Sequence, residues 1–159
     1  DFMNVEENIM FPLTMFTNKS DEEKLFRVND CLKRVNLENC NELLISELSG
    51  GMIKRVSIAR AIVMNPKYLL CDEPNSGLDP KTAIIIDNLI KEITIESNIT
   101  TIVNTHDMNS VMEIGQNIAY INNGLISWSG NKEELLESDN EQLNNFVFAS
   151  ELFKRLKKI

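Results

Sequence analysis

The 159-residue chain carries 16 lysines and arginines against 24 aspartates and glutamates, a net charge of −8, with 43% hydrophobic and 25% charged residues. That length accommodates one domain with a real core, and the composition is that of an ordinary globular chain, neither disordered nor fibrous. The acidic balance argues against unspecific binding to nucleic-acid phosphates, and no apolar run reaches the roughly 18–20 residues that cross a bilayer. Cys31, Cys40 and Cys71 are scattered with no CxxC pair. They point to a reducing compartment rather than to a disulfide framework or a zinc site.

In chain order, the first dozen residues close on the apolar run Ile9-Met10-Phe11-Pro12-Leu13, and Thr17-Asn18-Lys19 breaks it. Ser20 stands three residues before Glu23, the spacing of a capping box, with Asp21, Glu22 and Glu23 in the first turn. Leu25, Val28, Leu32 and Val35 then recur at helical spacing, and Lys33 and Arg34 suit a helix C-terminus. Leu48-Ser49-Gly50-Gly51 opens a second helical pattern from Met52 to Val63, which Asn65-Pro66 ends. Tyr68-Leu69-Leu70-Cys71 is a continuous apolar run, as expected of a buried parallel strand, and stops at Asp72-Glu73-Pro74.

Asp79-Pro80 supplies an N-cap and a proline at the first helical position, and Ile85, Leu89 and Ile93 share a face of the helix it opens. Thr100 to Thr105 is a β-branched strand ending at His106-Asp107. A helix with Val111, Met112 and Ile114 follows. Ile118 to Trp128 then reads as a hairpin turning at Asn122-Asn123-Gly124. Leu143 to Ile159 is an amphipathic tail, basic at its end. Strand–helix alternation over the middle predicts an α/β chain with parallel strands.

Three features sit where a nucleotide site would need them. Ser49-Gly50-Gly51 lies at the mouth of a helix, whose free N–H groups favour an anion; the same residues also suit a plain helix cap. Asp72-Glu73 follows a hydrophobic strand, at the end of a parallel sheet where ligands bind. The first acid there can hold Mg²⁺ and the second can deprotonate an attacking water; standing alone, the pair reads equally as solvated acids. His106, the only histidine, follows the next strand, and two neighbouring strands would place it at the same sheet edge as Glu73. A neutral imidazole there can hydrogen-bond a γ-phosphate or the attacking water.

Taken together, these segments resemble the ordered motifs of ABC-type ATPases. Leu48-Ser49-Gly50-Gly51 with Ile58-Ala59-Arg60-Ala61 is similar to the signature motif, and Tyr68 to Pro74 to the Walker B strand. Ser76-Gly77-Leu78-Asp79 resembles the D-loop, Thr105-His106-Asp107 the switch histidine, and Val5-Glu6-Glu7-Asn8 the stretch after the Q-loop. None of the six glycines belongs to a GxxxxGK(S/T) phosphate loop. With a first residue of Asp1, this leads us to expect a chain that begins inside a larger domain and is inactive alone.

The resemblance implies a P-loop NTPase-like three-layer α/β fold, incomplete at the N-terminus. It implies a helical subdomain over about 5–65, a catalytic-core remainder over about 66–130 and a helical tail over about 131–159. It also implies ATP and Mg²⁺ as ligands: Asp72 on the metal, Glu73 and His106 catalytic, and Ser49, Gly50, Gly51 and Asp79 on nucleotide. The implied partners are a second ATPase subunit, head to tail, and transmembrane permease subunits. The expected place is peripheral, on the cytoplasmic face of the bacterial inner membrane, without nucleic acid.

Met52 after the signature glycines and Phe11-Pro12-Leu13 resemble the ATPases of Mla-type phospholipid transporters, which implies phospholipid as cargo. The segment from Phe2 to Phe16 is the expected docking face for a permease. The basic tail (Lys154, Arg155, Lys157, Lys158) suits anionic lipid or a solvated helix end. The rival readings are a soluble ABC-type ATPase acting on DNA or ribosomes, and a non-catalytic interaction module. The short span between Leu48 and Asp107 leaves no room for the coiled-coil insertion usual in the former.

Overall fold

Asn4 and Glu7 open the first helix with a capping box: Asn4 Oδ1 accepts from the Glu7 N–H at 2.8 Å, and Glu7 Oε2 from the Asn4 N–H at 2.9 Å. This helix, α1, spans Val5–Phe16 in the computed structural model, which describes residues 2–149. The sequence pattern alone assigns no helix here, because Pro12 deletes one ladder hydrogen bond and reads as a breaker. Burial of Val5, Ile9 and Leu13 on one face outweighs that loss.

Two more helices complete a cluster. α2 (Asp21–Arg34) starts on the expected box, with Ser20 N–H to Glu23 Oε2 at 2.8 Å and Glu23 N–H to Ser20 Oγ at 3.2 Å. α3 (Gly50–Ile62) starts two residues earlier than the sequence pattern suggests, with Ser49 as its N-cap. Together α1, α2 and α3 bury Val28, Cys31, Leu32, Val56, Ala59 and Ile62. Arg27 ties α2 to the end of α3: Nε donates to Val63 O at 3.0 Å and Nη2 to Ile62 O at 2.8 Å. Carbonyls in a last helical turn have no partner within the helix, so this guanidinium supplies one.

β1 (Tyr68–Asp72) and β2 (Thr100–Asn104) pair in parallel, with Leu70 opposite Ile102 and Asp72 opposite Asn104. α4 (Pro80–Glu96) connects them and buries Ile86, Leu89, Ile90 and Ile93. That i, i+3, i+4, i+7 stripe corrects the expected face, since Ile85 is 47% exposed. β1 also departs from expectation. Its continuous apolar run predicts burial on both faces, yet only Leu69 is buried, while Leu70 is 73% and Ile102 opposite it 60% exposed. A two-stranded ladder with one face open accounts for it.

The chain divides into two compact units, the first ending at Asn104 and the second beginning at Thr105. In the second, α5 (Met108–Ile114) precedes β3 (Ile118–Asn122) and β4 (Leu125–Gly130), followed by α6 (Lys132–Glu137) and α7 (Glu141–Val147). β3 and β4 form the expected antiparallel hairpin. Its two-residue turn has positive φ at both Asn123 (50°) and Gly124 (77°), the signature of a type I′ turn. Leu135, Leu143, Val147 and Phe148 form its core, with Met112, Tyr120 and Trp128 packed on them. Lys154, Arg155, Lys157 and Lys158 lie outside the described residues, as does the expected helical tail beyond residue 149.

Candidate nucleotide site

Ser49 has extended backbone, φ −69° and ψ 159°, and its Oγ accepts the Met52 N–H at 3.3 Å, the ordinary work of an N-cap. Ser49 and Gly50 are exposed, whereas Gly51 is buried. A Cβ on Gly51 would fall 2.7 Å from Thr82 Cγ2, while one on Gly50 would make ordinary contact with Leu78 Cδ2 at 3.5 Å. Glycine at 51 is thus demanded by the neighbouring helix; at 50 the packing leaves room for a side chain.

That neighbour is the start of α4, where Asp79 is the N-cap. Its Oδ1 accepts from the Lys81 and Thr82 N–H groups, each at 3.1 Å, and its Oδ2 from the Thr82 hydroxyl at 2.5 Å. The Thr82 hydroxyl foremost, then its N–H, holds the Asp79 carboxyl below the usual carboxylate range. Gly77, with φ 79°, makes the turn that precedes it. Ser49, Gly50, Gly51, Asp79 and Thr82 line one open pocket of about 340 Å³. Of the two helix N-termini on this space, that of α4 is already satisfied, because Pro80 has no N–H and Asp79 takes the Lys81, Thr82 and Ala83 amides. The partial positive charge open to a ligand is therefore that of α3.

A second group gathers at the carboxyl end of β1. Asp72 is exposed, and its Oδ1 accepts from Asn104 Nδ2 at 2.7 Å. Glu73 is half-buried and has a left-handed backbone, φ 46°, which costs a non-glycine residue about 1–2 kcal/mol. Its N–H donates to Asn104 O at 2.8 Å, and its carbonyl accepts from the Ser76 N–H at 3.2 Å and from Lys54 Nζ at 3.1 Å. His106 is exposed and belongs to the second unit. Next to it, Asp107 caps α5 by accepting from the Asn109 N–H at 2.9 Å, and the Asp107 N–H donates to Thr105 Oγ1 at 3.0 Å.

The structure thus brings Ser49, Gly50, Gly51 and Asp79 to one pocket, and sets Asp72 and Glu73 side by side at a strand end. Sequence reasoning missed Asn104, Lys54 and Thr82. Asn104 was within reach, since a parallel partner of β1 ending opposite Asp72 needs a polar residue there. The pocket's chemistry, free helix amides beside glycine, fits phosphate oxygens. Among the described residues no group of three or more His, Cys, Asp or Glu could hold a metal ion. A single carboxylate such as Asp72 suits Mg²⁺, which keeps several waters and takes its remaining ligands from phosphate.

Comparison with known proteins bears on the same residues. Residues 2–76 match the family model described as ABC transporter. The Listeria innocua methionine import ATP-binding protein MetN 2 is 39% identical over 139 residues, covering 87% of this chain and 41% of that protein. The Mycobacterium leprae probable ribonucleotide transport ATP-binding protein mkl is 34% identical over 145 residues, 91% of this chain and 42% of that protein. The chain therefore spans about two fifths of the length of these curated relatives.

Among solved structures, the ATP-binding cassette MJ0796, dimeric and bound to ADP and Pi, superposes with a TM-score of 0.72. It is 34% identical, over 82% of this chain and 57% of that one. The structure of cbiO1 from Clostridium perfringens, part of the ABC transporter complex cbiONQ, gives 0.79 at 30% identity, over 99% of this chain and 62% of that one. In sequence and in fold, the chain is similar to part of these ATP-binding proteins.

Proposed function

We propose that this chain acts within an ATP-hydrolysing subunit of an ABC transporter, and that the 159 residues alone turn over no ATP. The observation that carries this reading is the shared pocket of Ser49, Gly50, Gly51 and Asp79 at two helix N-termini. In the proposal Ser49 and the Gly50 and Gly51 amides bind the phosphates of ATP held on a second ATPase subunit, arranged head to tail, while Asp79 meets that nucleotide through the neighbouring pocket wall. The dimeric state described for MJ0796 supports the presence of a second subunit. Asp72 holds Mg²⁺, Glu73 is the general base for the attacking water, and His106 hydrogen-bonds the γ-phosphate. The helical subdomain over about 5–65, the core remainder over about 66–130 and the tail from about 131 follow the family's division.

No helix among the described residues is long and apolar enough to cross a membrane, so in this reading permease subunits supply the pathway. The subunit sits peripherally on the cytoplasmic face of the bacterial inner membrane. Phe2, Met15 and Phe16, all exposed, offer apolar surface for docking a permease. For the cargo, the name of the MetN 2 relative favours methionine import. The names of the relatives given above lend the phospholipid reading no support, and it rests on Met52 and Phe11-Pro12-Leu13.

The test is Glu73→Gln in the full-length protein. ATP turnover should fall at least about 100-fold, the usual weight of a general base, while ATP binding persists. Turnover within about threefold of the parent protein would remove Glu73 from the chemistry. Uptake of labelled methionine, set against extraction of labelled phospholipid in the assembled transporter, decides the cargo.

A further inference from the structure

One side chain joins the start of α3 to the Glu73 turn. Lys54, one turn into α3 and half-buried, places Nζ 3.1 Å from the Glu73 carbonyl oxygen. The Ser76 N–H meets the same oxygen at 3.2 Å, and the Glu73 N–H is held by Asn104 O at 2.8 Å. The left-handed backbone at Glu73, φ 46°, is thus pinned at both of its peptide groups. Of these three bonds, the Lys54 contact is made by a side chain from another element and is charge-assisted, the stronger class of hydrogen bond. In half-buried surroundings it is also less screened than in water.

We propose that Lys54 is a positioning residue for Glu73, linking the phosphate-facing start of α3 to the turn that aims the carboxylate. The inference rests on the reading of Glu73 as base and of Ser49, Gly50 and Gly51 as phosphate-binding groups. α3 is one continuous helix, so Ser49 at its cap and Lys54 one turn on move together. A phosphate engaged by Ser49 and the Gly50 and Gly51 amides therefore pulls, through Lys54, on the Glu73 carbonyl. A nucleotide bound at the signature end is felt at the base. The coupling needs no displacement of β1, whose end is fixed independently by the Asp72–Asn104 contact.

Steady-state ATP hydrolysis by the full-length protein tests this with Lys54→Met, Lys54→Arg and Glu73→Gln. Lys54→Met keeps the stem but loses the donor. Its kcat should drop about tenfold, roughly 1.4 kcal/mol in the barrier, with KM for ATP within about twofold. Lys54→Arg, which keeps a charged donor, should recover at least half of the parent kcat. If Lys54→Met does not fold, Lys54→Gln, with an amide donor on a shorter stem, should fall between the two.

An unchanged kcat in Lys54→Met or Lys54→Gln overturns the proposal. So does a raised KM at constant kcat, which would assign Lys54 to binding nucleotide, and so does Lys54→Arg as impaired as Lys54→Met. Glu73→Gln with full turnover overturns the reading of Glu73 itself. Glu73→Gln inactive beside a fully active Lys54→Met overturns the Lys54 link alone.

Discussion

Thr82 Cγ2 occupies the space that a side chain on Gly51 would need, 2.7 Å from where its Cβ would stand. Thr82 has little freedom to yield, because its hydroxyl is committed to Asp79 Oδ2 at 2.5 Å. The start of α3 and the start of α4 are therefore fitted to one another through a glycine and a methyl group. Gly51→Ala gains up to about 1 kcal/mol of helix propensity and pays an overpacking cost of about 1–3 kcal/mol. We expect net destabilisation by denaturant unfolding. Thr82→Ser, which removes Cγ2 and keeps the hydroxyl, should restore the loss in the double variant. A double-mutant cycle with no coupling would show that the two helices are not in contact there.

Asp79 gives the protein an acid-sensitive joint. Its carboxyl titrates below the usual range, chiefly through the Thr82 hydroxyl, so its contribution is present above the unfolded-state pKa. That contribution disappears as pH falls through the lower, folded-state value. Chemical unfolding followed from pH 6 down to pH 2.5 should show an acid loss that is smaller in Asp79→Ala. Thr82→Val, which lacks the hydroxyl, should raise the Asp79 pKa read by NMR.

Arg27 is expected to matter more than an exposed arginine would. It satisfies the carbonyls of Ile62 and Val63 at the end of α3 and pairs with Asp30. Arg27→Met strands the Val63 carbonyl, while that of Ile62 keeps the Asn65 N–H at 3.0 Å, and should cost about 1–3 kcal/mol in urea unfolding. Arg27→Lys should recover only part, since one ammonium cannot reproduce the planar fork. A loss under about 0.3 kcal/mol in Arg27→Met would mean that water replaces the guanidinium.

Cys31 is fully buried, and burial pushes its thiol up to about 11. At pH 8 about one thiol in a thousand is then ionised, against about a quarter for a free cysteine, so native-state alkylation should be slower by about two orders of magnitude. The raised value also fixes a sign: this contribution to stability is whole below about pH 9 and is lost as pH rises towards 11. Cys31→Ala should lose stability at neutral pH through its cavity, yet show a shallower decline between pH 9 and 11.

How much of this was legible in the sequence varies by element. The α2 capping box, the Asp79-Pro80 start of α4 and the Asn123-Gly124 turn were readable, because each is set by hydrogen bonds among near neighbours. α1 was hidden by Pro12, since packing of Val5, Ile9 and Leu13 is a tertiary effect that no local rule weighs. On α4 the expected Leu89 and Ile93 are buried, but Ile86 takes the place expected of Ile85 in a stretch where Ile84, Ile85 and Ile86 offer three candidates at once. Within the site, residue types at motif positions named Ser49, Gly50, Gly51, Asp72, Glu73 and Asp79. Thr82, Lys54 and Asn104 act across elements, so only the folded arrangement reveals their partners.

The open face of the β1–β2 ladder has a colloidal consequence. Leu70 and Ile102 sit opposite each other in register, both more than half in water, with Tyr68 exposed on the same face. Each costs the monomer solvation free energy that contact with another apolar surface would return, at about 25 cal/mol per Å² covered. The isolated chain should therefore scatter light increasingly with concentration and salt. Leu70→Lys, which disturbs no buried contact, should keep it clear without changing its unfolding midpoint.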